Sequence, residues 1–264
     1  VEDSYIRVFP PNTAYNYAGG VCGSNEGTIT NCYNTGTVSS SDSVGGVCGG
    51  NAGTITNCYN TGTVSGGTVG GVSGQNYGTI ENSYNTGTVS DGSAGGVCGQ
   101  NYNGTITNCY NTGEVSGDYT GGVCGWNKLN STTENTIINC YNIGKVSGDY
   151  VGGVCGLNEG TITECNNRGE VSGTSVGGVS GQNYNGTITN CYNTGTVSGN
   201  MNVGGVCGLN RGTIINCYNT GTVSGQNIVG GVCGLNEGTI ENSYNTGTVS
   251  APTNVDSMCA ENYK

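Results

Sequence analysis

Apolar residues in this chain stand mostly as single β-branched positions between glycines and small polar residues, and they recur in a fixed phrase. In the first unit the phrase reads G-G-V-C-G, then G-T-I-T-N-C-Y, then G-T-V-S, carrying Val21, Ile29 and Val38. Thr28 and Thr30 flank Ile29, a period-two alternation that predicts a strand with one face buried. Glycine this dense costs roughly 1 kcal/mol per residue against alanine in a helix, so no helical period is expected. Asn25-Glu26-Gly27 and Asn34-Thr35-Gly36 separate the three pieces. Asparagine and glycine tolerate positive φ, so both triplets are predicted corners.

The Gly-Gly pairs begin at Gly19, Gly45, Gly70, Gly95, Gly121, Gly152, Gly177, Gly204 and Gly230, and a degraded start appears at Asp256–Asn262. A unit of this size buries no core alone and must stack on its neighbours. The expected fold is all-β: a single-domain parallel β-solenoid of about ten rungs, with ~26 residues and three short strands per rung and a right-handed coil favoured. At ~4.8 Å per rung the rod is roughly 45–50 Å long. Length changes fall at corners and links (Asn103, Asn185, Lys128–Asn135, Asn200–Asn202), where a loop bulges outward without breaking a ladder. The expected organisation is residues 1–18 as an N-terminal cap or assembly segment, 19–250 as nine repeats, and 251–264 as a partial tenth rung.

Stacking turns repeat positions into columns. Val21 to Val232, Ile29 to Ile240 and Val38 to Val249 are the expected core, joined by a near-column from Val44 to Val229. Asparagines from Asn34 to Asn245 and from Asn25 to Asn262 are expected to stack their amides along the axis. Eight tyrosines run from Tyr33 to Tyr244, broken at Asn166. They are read as intramolecular stacking, with a sugar-binding platform as the alternative. Thr-x-Thr files such as Thr28/Thr30 and Thr35/Thr37 suggest strand surface, with ice binding as the alternative; Glu81, Glu114, Lys145, Glu170 and Glu241 interrupt them.

Fifteen cysteines fill two further columns, with serine replacing them at Ser73, Ser180, Ser83 and Ser243. The candidate disulfide or redox residues are Cys22 and Cys32, Cys48 and Cys58, Cys98 and Cys109, and Cys207 and Cys217, with Cys259 as the candidate for an intermolecular bond. Pairing within a unit, between units and along one column all remain open at this stage, since neighbouring rungs lie inside the usable Cα range. An odd number leaves at least one thiol free or intermolecular.

Charge narrows the partners. Net charge is −11, and the six basic residues are scattered, so no phosphate-tracking stripe forms and nucleic acid is not an expected partner. No apolar run reaches the ~18 residues of a membrane span, so no membrane insertion is expected. The chain contains no histidine, which removes Ser-His-Asp and Cys-His catalysis; with no C-x-x-C spacing, a zinc site is not expected either. The reading is therefore a non-enzyme without cofactor. Many cysteines outside metal spacings suggest an oxidising, extracytoplasmic compartment, and a start at Val1 with no leader fits a processed product.

Across residues 19–262 the phrase G-G-V-C-G-x-N-x-G-T-I-x-N-C-Y-N-T-G-x-V-S resembles the GLUG-motif repeat family, departing at Gly20-Val21-Cys22-Gly23, where valine and cysteine stand in the name-giving tetrapeptide. That resemblance implies a β-solenoid stalk or scaffold of secreted and surface bacterial proteins, including adhesins and regions of IgA-specific metallopeptidases, with no catalytic residues to carry over. The expected function is a secreted or cell-surface structural protein, a filament subunit or stalk that associates with itself head to tail. The alternative is an adhesin for host or cell-surface glycans, or an ice binder. Candidate assembly residues are Tyr5, Ile6, Val8 and Phe9 at one end and Met258, Cys259 and Tyr263 at the other.

Overall fold

The computed structural model describes residues 16–129 and 135–262. The candidate assembly residues Tyr5, Ile6, Val8, Phe9 and Tyr263 lie outside the described residues. Within the described residues every strand pairs in parallel with the equivalent strand one coil away: Ile29 faces Ile55, Ile55 faces Ile80, and Tyr33 faces Tyr59. Among the described residues nine coils are complete, and Val249–Ser250, Val255–Asp256 and Cys259–Asn262 begin a tenth. The solenoid expectation holds.

Each complete coil has four sides where the phrase suggested three strands, and in some coils the first side is split into two strands. In the second coil the sides are Val38–Gly45, Cys48–Asn51, Thr54–Thr56 and Tyr59–Asn60, and their stacks form sheets of fourteen, ten, nine and nine strands. The G-T-I-T-N-C-Y piece breaks in two because Asn31 and its equivalents adopt left-handed backbone, with φ of 55° at Asn31.

 The equivalent residue turns the same way in the other coils, from Asn57 (φ 55°) to Asn242 (φ 48°), and asparagine bears that conformation at least cost after glycine.

The two predicted corners are built differently from the expectation. Gly27 and Gly36 are absent from the positive-φ positions. Instead Asn34 closes the turn with its own amide: Oδ1 accepts from the Gly36 N–H at 3.2 Å, and Nδ2 donates to the Gly36 carbonyl at 2.8 Å. Glycine is required there by the neighbouring coil, since a Cβ on Gly62 would lie 1.9 Å from the Gly36 carbonyl oxygen.

The core also differs from the single one expected, because it has two lobes. Val47, Ile55 and both cysteine columns fill the first, and the Val38 and Val44 columns fill the second. Between them lies a waist where the Gly-Gly backbone packs directly on the Asn34-type amides. A Cβ on Gly46 would sit 2.2 Å from the Gly71 carbonyl oxygen and 2.6 Å from Asn60 Cγ. The second glycine of each pair therefore makes room for a fully buried carboxamide.

Those carboxamides form two continuous ladders. Asn34, Asn60, Asn85 and their successors to Asn219 each donate Nδ2 to the next Oδ1, the file ending at Asn245, for example at 2.7 Å from Asn34 to Asn60 and 2.8 Å from Asn60 to Asn85. The Asn25 to Asn262 file does the same on the opposite corner. Asn111 shows the full set: it donates to the Gly113 carbonyl and to Asn142, and accepts from Asn85 and the Gly113 N–H. Asn111→Ala strands these buried partners, each worth about 1–3 kcal/mol when left unsatisfied, so we expect a loss of about 3 kcal/mol or more in urea unfolding. Thr112→Ala, one residue on and exposed, should stay within about 0.5 kcal/mol of the parent.

Candidate interaction surface

Three column systems carry the chemistry weighed from the sequence: thiols, threonines and tyrosines. All fifteen cysteines are free thiols, so the candidate residues Cys22, Cys32, Cys48, Cys58, Cys98, Cys109, Cys207, Cys217 and Cys259 form no disulfide in this structure. Each column has a packing role instead. In the first, the thiol reaches the carbonyl two residues on, as Cys48 does to Gly50 at 3.1 Å and Cys155 to Leu157 at 3.2 Å. In the second it reaches two residues back, as Cys109 does to Thr107 at 3.1 Å. The serines make the same bonds: Ser73 to Gln75, Ser180 to Gln182, Ser83 to Glu81 and Ser243 to Glu241, all at 2.8 Å. A small side chain with one donor is what both columns select, and this accounts for the cysteine–serine alternation.

Burial pushes the thiols of Cys109, Cys124, Cys155, Cys165 and Cys233 well up from the ordinary range, which keeps them protonated. Cys22, half-buried in the first coil, differs: a hydrogen bond with the Cys48 thiol draws it down to about 6. Above that pH Cys22 is mainly thiolate and nucleophilic. Iodoacetamide at neutral pH should therefore label Cys22 ahead of the buried thiols. Its rate should rise with pH through a midpoint near 6, and peptide mapping by mass spectrometry checks the order.

Threonines form the outer face of the third sheet. Thr28, Thr54, Thr79, Thr105, Thr136, Thr161, Thr187, Thr213 and Thr239 stack without a break. The companion file beside Ile29 and its equivalents changes to Glu81, Ile138, Ile215 and Glu241.

The tyrosines stack face to face along the rod. Ring centroids are 5.0 Å apart with planes 7° from parallel at Tyr33–Tyr59, and 4.8 Å and 4° at Tyr84–Tyr110. Near-parallel rings this close are offset-stacked, so each face is covered by the next ring and the edges and hydroxyls point outward. A sugar has no free face to stack on inside the ladder. The sequence reading missed a second aromatic group: Tyr119 stacks on Tyr150 at 5.1 Å, and Lys128 Nζ lies 4.2 Å from the Trp126 ring centre. Its members sit at variable positions of the phrase, where no column marks them.

The assembly candidates that are described stand at the last coil, with Met258 37% exposed and Cys259 half-buried. Among the described residues no helix is long and apolar enough to cross a membrane.

The family model of the GLUG motif matches residues 14–39, 40–65, 65–90, 91–116, 172–198, 199–224 and 225–250. These segments make up about two-thirds of the chain. Comparison with curated proteins and with solved structures returns no match.

Proposed function

The chain belongs to the GLUG-motif family, and on that premise we propose that it is an extracellular structural rod, a filament subunit or surface stalk that adds copies of itself end to end. The observation that carries this reading is the contrast between inner and outer coils. Val47 is fully buried, whereas its first-coil equivalent Val21 is 41% exposed. At the other end Tyr244, Val255 and Met258 are exposed, and among the described residues the strands of the last coil pair on one edge only. What fits such an edge is another coil of the same phrase in register, supplied by a second copy.

The amide ladders give that contact a direction. Every link runs from Nδ2 of one coil to Oδ1 of the coil after it, so the ladder is polar, with an acceptor face at the Asn34 end and a donor face at the Asn245 end. Only a head-to-tail arrangement preserves that polarity. Cysteine usage gives the extracellular location no support, because packing accounts for both columns; family membership supports it. No catalytic role is part of this reading.

Electron microscopy and sedimentation over a range of concentrations test the assembly. We expect rods that lengthen with concentration, and Val255→Lys with Met258→Lys should shorten them to single subunits. Short monodisperse rods at every concentration, with and without reductant, would sink the proposal.

The unbroken threonine file favours a second reading, in which the third sheet binds ice. An ice-recrystallisation assay should then lose its effect on Thr161→Lys, placed mid-face. No inhibition by the parent protein removes this reading and leaves the rod untouched.

A further inference from the structure

The first sheet carries an irregularity in its second coil that no column of the repeat demands. Val38–Gly45 pairs with Val64–Gly70, but the register shifts on the way: Ser40 faces Gly66, and Ser43 faces Thr68. Ser41 and Asp42 therefore stand against Gly67 alone. This is a β-bulge, which bends a strand and re-aims its side chains. A Cβ on Gly67 would lie 2.6 Å from the Ser41 carbonyl oxygen, so the strand opposite the bulge has no room for a side chain. Beside the bulge, between the first and second sheets, lies a cleft of about 290 Å³. The bulge residues Ser41 and Asp42 line it together with Ser43, Gly67, Thr68, Gln75 and Asn16.

Two side chains of this lining are buried yet keep hydrogen-bonding capacity in hand. Gln75 is 8% exposed. Its Oε1 accepts from the Tyr17 hydroxyl at 3.2 Å and from the Tyr77 hydroxyl at 3.0 Å. Those bonds fix the amide and leave Nε2 without a partner among the described residues. Ser43 is 6% exposed, and its hydroxyl likewise has no partner among the described residues, although its N–H bonds the Asn16 carbonyl. A buried donor left unmet is costly, so both groups call for a polar occupant. Asp42 is exposed, and its Oδ2 accepts from Asn16 Nδ2 at 2.7 Å, which leaves Oδ1 as an open acceptor.

The groups present select among occupants. Asp42 and the net charge of −11 oppose an anion, and no basic side chain lines the cleft. A cation would meet Gln75 Nε2, which only donates. No aliphatic or aromatic side chain lines the cleft, so an apolar ring gains little there. A hydroxyl donates and accepts at once, and several of them on one ring match the mixture of Gln75 Nε2, the Ser43 and Thr68 hydroxyls and Asp42 Oδ1. Ligand pockets begin at about 300 Å³, so the cleft takes one ring rather than a chain.

We propose that the cleft beside the Ser41–Asp42 bulge binds a single neutral pyranose ring. Gln75 Nε2 donates to one sugar hydroxyl, and Asp42 Oδ1 accepts from another. The site is separate from the Tyr33 ladder and independent of end-to-end assembly.

Saturation-transfer NMR on the full chain tests the cleft, with methyl β-D-galactoside, methyl β-D-glucoside, methyl α-D-mannoside and N-acetylglucosamine as probes. At least one of them should saturate the parent protein at one site. Ser41→Trp, at an exposed position on the cleft, should fill it and abolish the signal. Met201→Trp, at an exposed position outside the cleft, should bind like the parent. Thr68→Val removes one hydroxyl at nearly constant shape and should weaken binding roughly tenfold, the scale of one hydrogen bond. Acetate and spermidine, the anion and cation competitors, should displace nothing at constant ionic strength. Failure of every probe to saturate the parent, undiminished binding by both Ser41→Trp and Thr68→Val, or displacement by either ion overturns the proposal.

Discussion

A buried carboxamide that donates to the next coil and closes its own turn is the interaction on which the rest of this structure depends. Asn60 Nδ2 serves both the Gly62 carbonyl at 2.9 Å and Asn85 Oδ1 at 2.8 Å, with no exposure to water. A buried amide is costly unless its donors and acceptor are satisfied. Here each one is satisfied only if the neighbouring coil stands in register. A slip of one residue would strand the whole file at once, so the ladder fixes register more sharply than the valine and isoleucine columns, which tolerate small displacements.

The ladder also explains the most conspicuous letters of the phrase. Gly-Gly is neither a flexible hinge nor a phosphate loop. Its second glycine leaves the space that the Asn60-type amide occupies, and that contact divides the core into two lobes. The thiol columns follow from the same economy of space. At these positions the wall accepts a small side chain with one donor, and Ser83 and Cys109 serve the same backbone carbonyl position in adjacent coils.

Much of this was legible in the sequence because a repeat converts one-dimensional periodicity into three-dimensional columns. The strand register, the Ile29 and Val21 files and both asparagine ladders could be read from positions alone. The failures have specific causes. The fourth strand was hidden because Asn31 is followed directly by Cys32-Tyr33, so no glycine or proline marks the turn. The corner glycines were assigned to positive φ because glycine is permissive, whereas their role is close approach between coils, which depends on a neighbour that local sequence does not display. The two-lobed core was invisible for the same reason.

A repeat protein states its scaffold many times over and its particular chemistry once. Positions that agree across coils are held by stacking, since a change in any one coil disturbs the coils on both sides. A coil that departs at several neighbouring positions therefore gives up stacking energy at each of them. Glu164, Asn166 and Arg168 give up a relaxed corner, a ring stack and a small corner side chain within one turn of the same coil. Arg168 recovers part of that loss within the same coil, donating to the Asn166 amide oxygen at 3.1 Å and to the Tyr192 hydroxyl at 3.4 Å, so polar contacts bridge the one break in the ring stack.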